Sequence, residues 1–230
     1  PSTRPRSSVG LRVRVLAFKD PISECCGVVR SLSIRWITYS PSLDRNSGED
    51  MTYLINKWYA AAWTEEIGDE PLSRTIMDQP VVFYRIQGGS VGALEDRCCH
   101  RALPLSLGQV IGDDIRCGYH GLRFDVTGQC VDVPGQKTIP PGAQVTSYPV
   151  VERHRMVWIW MGDPVLANAD AIPNLFWHDD PDWKTTGEHI EVCCDYRLLI
   201  DIQLDATHVT FVHASTLGSE AVQATPPEVI

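Results

Sequence analysis

The chain has 230 residues, a formal net charge of −9 and 43% apolar side chains, enough for one large or two modest domains with a sizeable core. That charge argues against a nucleic-acid partner, and no apolar run reaches the length of a membrane span. The eight cysteines fall as three adjacent pairs, Cys25-Cys26, Cys98-Cys99 and Cys193-Cys194, plus Cys117 and Cys130. Adjacent cysteines rarely bridge one another, so a reducing, cytoplasmic setting is expected rather than a disulfide scaffold.

In chain order, residues 1–50 stand apart. They carry eight Lys/Arg against five Asp/Glu, whereas residues 51–230 carry twelve against twenty-four. An Arg- and Ser-rich start is the composition of a transit peptide, but Asp20 and Glu24 argue against one, as does the lack of an apolar run with a small-residue cleavage site. The expectation is an unstructured extension outside the working domain, with Met51 as that domain's natural start.

From Met51 onward short β-rich runs alternate with turn signals. Arg74–Met77, Val81–Ile86 and Val91–Leu94 read as strands separated by Asp78-Gln79-Pro80 and Gly88-Gly89-Ser90. Leu122–Asp125 and Gln129–Val133 read as a hairpin around Thr127-Gly128. Thr146–Val151 and Met156–Trp160 continue the series, with Trp158 and Trp160 expected simply to pack. Such spacing predicts an antiparallel β-sandwich, closed by Gly162-Asp163-Pro164 and followed by linker and loop to Trp183. His154, His178 and His189 lie outside any ligand spacing and are expected to be ordinary packed or surface residues.

Between these strands lie Cys98-Cys99-His100-Arg101 and Cys117-Gly118-Tyr119-His120. Read as C-x-H and C-x-x-H, each stretch offers one thiolate and one imidazole. Two thiolates on one iron and two neutral imidazoles on the other make a Rieske-type [2Fe–2S] cluster, whose lower negative charge raises its potential. A structural zinc ion also takes a two-sulfur, two-nitrogen set. Its usual spacing pairs Cys with Cys and His with His, which these loops do not.

The residues Cys98-x-His100-Arg101 with Pro104-Leu105-Ser106, then Cys117-x-Tyr119-His120-Gly121-Leu122-x-Phe124-Asp125, resemble the Rieske domain of the Rieske non-heme iron oxygenases. The resemblance implies that Cys98, His100, Cys117 and His120 hold the cluster. The Met51–Ala62 stretch and Val150-Val151-Glu152-Arg153 resemble the vanillate demethylase and dicamba monooxygenase branch. Expected boundaries are 1–50 for the extension, 51–163 for a mainly β Rieske domain with two cluster-binding loops, and 164–230 for the start of an α+β catalytic domain.

In that last segment Tyr196–His213 reads mostly as helix. Asp201, Asp205 and His208 fall at i, i+4 and i+7, on one face. His213 lies roughly 140° further round a regular helix, so the two imidazoles meet only if the helix bends, bulges or ends. Two histidines and a carboxylate make the triad that holds non-heme Fe(II) with positions open for O2; a buried polar helix is the plainer alternative. By the resemblance, His208 and His213 are iron ligands. Asp205 is an outer carboxylate that links the iron site to a Rieske histidine of the next subunit in a head-to-tail homotrimer.

The resemblance further implies electrons from an NAD(P)H-dependent reductase, directly or through a ferredoxin, and an aromatic substrate that is oxygenated or O-demethylated. The third ligand is expected beyond Ile230, since neither Glu220 nor Glu228 matches its position. The 230-residue chain alone is therefore expected to be inactive. Two rivals share the cluster motif. A Rieske ferredoxin has no use for the His208/His213 helix. A respiratory-chain Rieske subunit carries an extra cysteine in each loop, where this chain has Leu103 and Tyr119.

Overall fold

The computed structural model describes residues 12–15, 30–31, 35–38, 53–185, 190–191 and 196–213. Near the N-terminus these are short strands: β1 (Arg12–Val15), β2 (Arg30–Ser31) and β3 (Arg35–Thr38). The expectation of an unstructured extension over residues 1–50 otherwise lies outside the described residues. The body of the molecule is β4 (Lys57–Trp63), β5 (Leu72–Ile76), β6 (Gln79–Arg85), β7 (Val91–Glu95), β8 (Gln109–Ile111), β9 (Asp114–Arg116), β10 (Arg123–Phe124), β11 (Cys130–Asp132), β12 (Val150–Arg153) and β13 (Met156–Met161). Beyond it come β14 (Trp183–Lys184), β15 (Ile190–Glu191), α1 (Tyr196–Leu204) and α2 (Val209–Val212).

Three antiparallel sheets organise this body, in the orders β5-β6-β7, β12-β13-β4 and β11-β10-β9-β8. The first lies between the other two, and β6 shows why. Its Val81 and Phe83 point into one core with Val157 and Ile159 of β13, while Val82 and Tyr84 point into another with Leu105, Ile115 and Phe124. Successive side chains of a strand face opposite ways, so a strand covered on both sides must be apolar throughout. All four residues are fully buried. β13 is likewise buried along its whole length, and its Met156 and Trp158 pack under Ile172. The mainly β, antiparallel expectation holds.

Two strand sets were absent from the sequence reading. β4 reads Lys-Trp-Tyr-Ala-Ala-Ala-Trp, where alanine carries little strand preference, yet it pairs with β13 from Trp63↔Met156 to Lys57↔Met161. β8 and β9 are three residues each, too short to show a period, and turn at Gly112-Asp113. The passage after Gly162, read from the sequence as linker and loop, is ordered against the sheet. It is three 3-10 turns, Pro164–Leu166, Ala169–Ala171 and Phe176–His178. The Asp163 and Asn168 side chains cap the first two, and Ile172 docks on the outer face of β13. His154 and His178 are both buried there, with His154 Nδ1 2.5 Å from Asp179 Oδ2; His189 lies outside the described residues.

Candidate metal centres

The first loop runs from Cys98 to Leu103 after β7, the second from Cys117 to Leu122 between β9 and β10. Both close in the same way. Cys98 N donates to Leu103 O at 2.9 Å and Ala102 N to Cys98 O at 2.9 Å. Cys117 N donates to Leu122 O at 2.8 Å and Gly121 N to Cys117 O at 3.1 Å. The residue before each leucine is left-handed, Ala102 at φ 58 and Gly121 at φ 78. The second loop lies tight against the 3-10 turn Leu105–Leu107 that follows the first: a Cβ at Gly118 would lie 2.7 Å from the Leu107 carbonyl oxygen. Glycine is needed there because two backbones meet.

Cys98 and Cys117 are each only 3% exposed and sit in the core with Leu105, Leu122 and Phe124. The Cys98 thiol lies within hydrogen-bonding reach of Cys117, and burial pushes it up to about 11 against the opposing backbone N–H of His100. His100 and His120 are exposed, with ring centroids 4.6 Å apart and edge to face. Tyr119 lies against His120 at 3.9 Å. The sulfurs thus face the core and the imidazoles face solvent.

The donors come together as two pairs, and among the described residues no three His, Cys, Asp or Glu side chains close on one point. A binuclear cluster takes its protein ligands two per iron, whereas zinc takes four at one centre. A buried thiol that resists ionisation, as at Cys98, also suits a site where metal supplies the missing positive charge. The residues present fit the cluster.

The second constellation is arranged differently from a continuous helix. α1 ends at Leu204, and the Asp205 carboxylate accepts from Thr207 N at 3.0 Å and Thr207 Oγ1 at 2.5 Å. These bonds, the hydroxyl first, hold Asp205 below the usual carboxylate range. A 3-10 turn over Ala206–His208 leads into α2, whose end is capped by His213 N donating to Val209 O at 3.0 Å. The changed pitch and early stop bring His208 and His213 to 5.4 Å between ring centroids.

His208 Nδ1 lies 2.5 Å from the main-chain oxygen of Asp205. A proton on Nδ1 donated to that carbonyl leaves Nε2 as the free donor atom. The histidine bond expected of the Asp205 carboxylate is therefore made, within the described residues, by its backbone. Asp201 is exposed and contributes its carbonyl to Asp205 N at 3.0 Å. Glu220 and Glu228 lie outside the described residues. One residue the sequence reading passed over is Asp96, a buried carboxylate two positions before Cys98.

A mainly antiparallel β-body that offers two cysteines and two histidines on matched loops is a Rieske [2Fe-2S] domain, and that family matches residues 57–149. The vanillate O-demethylase oxygenase C-terminal domain family matches residues 192–229. With both in this order, the chain carries a Rieske [2Fe-2S] domain followed by a stretch similar to the vanillate O-demethylase oxygenase C-terminal domain, and it is similar to the oxygenase components of vanillate O-demethylase and dicamba O-demethylase. It is 49% identical over 176 residues to the toluene-4-sulfonate monooxygenase system iron-sulfur subunit of Comamonas testosteroni, covering 76% of this chain and 51% of that one. It is 44% identical over 181 residues to the dicamba O-demethylase oxygenase component of Stenotrophomonas maltophilia, covering 78% and 53%. The crystal structure of dicamba monooxygenase bound to dicamba superposes with a TM-score of 0.74 at 43% identity, covering 78% of this chain and 54% of that one. The chain spans about half the length of the curated relatives it matches.

Proposed function

We propose that the chain is the electron-entry half of an aromatic oxygenase component, with residues 51–163 as the Rieske domain and 164–230 as the opening of the catalytic domain. The observation that carries this reading is the pair of identically closed loops, which sets two buried thiols beside two exposed imidazoles. Cys98 and Cys117 would hold one iron of the cluster, and His100 and His120 the other. His208 and His213 supply two of three ligands to a mononuclear Fe(II).

When bound, the cluster supplies single electrons and the Fe(II) supplies O2 activation. The chain's own residues divide the remaining work. The Leu105, Leu122 and Phe124 core keeps water from the sulfur side, while the exposed imidazoles bring the outer edge to the surface where a partner can approach. The Asp205 carbonyl holds His208 with Nε2 turned outward. The electron donor is an NAD(P)H-dependent reductase, directly or through a ferredoxin, and the substrate an aromatic compound carrying a removable or hydroxylatable group. The match at residues 192–229 supports an oxygenase over a Rieske ferredoxin, which needs no such segment. In a head-to-tail trimer, Asp205 stands at the junction between the mononuclear site and the neighbouring subunit's cluster.

Purified chain should be brown, with two irons and two acid-labile sulfides in its Rieske domain. Replacing His100 or His120 by Ala should abolish the spectrum, and an intact spectrum in either variant would refute the ligand assignment. In the parent full-length enzyme, Asp205→Asn should leave the cluster reducible while stopping substrate oxidation; unchanged coupled turnover would remove Asp205 from the electron path.

A further inference from the structure

The acid at position 96 has no place in the ligand set, yet its setting is unusual for a carboxylate. Asp96 is 5% exposed and immediately follows β7. Its Oδ1 accepts from Ser106 N at 2.7 Å, and its Oδ2 accepts from Ser106 Oγ at 2.7 Å and from Ser73 Oγ at 2.7 Å. Its own backbone N donates to Pro80 O at 2.8 Å. Burial of a carboxylate is costly unless its oxygens are satisfied, and here three neutral donors satisfy them.

The positions of those partners matter more than their number. Ser73 is on β5 and Pro80 on β6, so one side of Asp96 is fastened to the central sheet. Ser106 is the middle of the 3-10 turn Leu105–Leu107, which follows the first ligand loop. The carboxylate therefore joins the residue two before Cys98 to the turn that begins two after Leu103, clamping the ends of that loop. The same turn reaches the second loop, because the Leu107 carbonyl oxygen is the atom that a Cβ at Gly118 would strike. Leu105, fully buried between them, contacts the core that holds both cysteines.

We propose that Asp96 is a positioning residue for the cluster: through Ser106 it fixes the turn on which both ligand loops rest, and through Ser73 it ties that turn to the central sheet. The proposal rests on the cluster assignment above. It does not require Asp96 to touch iron or sulfide. Groups behind metal ligands commonly change metal affinity by about 10–100-fold when removed, because the ligands lose their preset geometry.

The test compares the cluster-loaded 230-residue chain with Asp96→Ala, Asp96→Asn, Ser106→Ala and Ser73→Ala. Cluster release to a chelator, EPR line positions and midpoint potential are measured for each. Asp96→Ala should release its cluster about tenfold faster or more and shift the EPR lines. Asp96→Asn should largely restore both, since the amide oxygen still accepts from Ser106 N and the two hydroxyls can turn to accept from its NH2. Ser106→Ala should shift release and EPR in the same direction as Asp96→Ala, and keeps the test alive if that variant does not fold. Ser73→Ala should do so more weakly. Lowered thermal stability with release rates, EPR lines and potential all at parental values overturns the proposal. A parent chain with no iron–sulfur spectrum would instead sink the cluster assignment, a result visible before any variant is made.

Discussion

Ala102 and Gly121 occupy equivalent places in the two ligand loops, and exchanging their side chains should have opposite effects. Both are left-handed, at φ 58 and φ 78, a region that costs an L residue roughly 1–2 kcal/mol. Adding a methyl at Gly121 incurs that strain and places a Cβ 2.9 Å from Pro134 Cγ. The stiffer unfolded chain returns roughly 0.4–1 kcal/mol. Strain less that return leaves about 0–1.6 kcal/mol, and the Pro134 contact adds to it, so the net loss for Gly121→Ala is about 1–2 kcal/mol. Ala102 already bears the strain and its methyl is exposed, so Ala102→Gly loses no burial. Relief of the strain, less the ~0.5–1 kcal/mol entropy of a more flexible residue, leaves a gain of up to about 1.5 kcal/mol.

Thermal unfolding of the cluster-loaded chain, followed by near-UV circular dichroism and by visible absorbance, reads both variants. At roughly 2–4 °C per kcal/mol for a domain of this size, Gly121→Ala should melt about 4 °C below the parent and Ala102→Gly at or slightly above it. If both variants shift the midpoint in the same direction by comparable amounts, the matched geometry of the loops is not what governs their stability, and the reasoning fails.

Phe124 is fully buried beneath the cysteines, so Phe124→Ala should cost about 3–5 kcal/mol in denaturant titration; a loss under 1 kcal/mol would show that this core does not support the loops. Arg85 donates to Glu152 at 2.8 Å and to the carbonyls of Thr64, Ile67 and Gly89. Its planar fork serves several acceptors at once, so Arg85→Lys should recover only part of the ~2–3 kcal/mol lost in Arg85→Ala, and full recovery would refute that role. Burial, aided by the Arg155 guanidinium, holds His178 below its ordinary 6.5. The unfolded chain then binds the proton more readily, so stability is whole above about pH 6.5 and falls as pH drops below it. His178→Gln should flatten the pH dependence of the melting midpoint between pH 7 and 5, and an unchanged slope would exclude His178 as its source.

Much of the cluster site is legible from the residues alone, because a metal loop is a local object. Cys98 and His100, or Cys117 and His120, need only a tight turn between them, and their close spacing states that turn, aided in the second loop by Gly118 and Gly121. The strands with clear runs of β-branched and aromatic residues, β6 and β13 above all, are legible for the same reason. The convergence of His208 and His213 was not, since five residues of regular helix set them apart. Only the stop at Leu204, the Asp205 cap and the tighter turn after it bring the rings to 5.4 Å.

What the residues carried on their own was therefore the C-x-H and C-x-x-H donor pairs and the runs that become the strands flanking them. Tertiary structure decided which faces β6 and β13 bury, that the passage after Gly162 docks on β13, and that Asp96 meets Ser73 and Ser106 across 23 and 10 residues of chain. Those outcomes depend on which distant surfaces close against each other, and a free energy shared between remote segments leaves no periodic mark in either one.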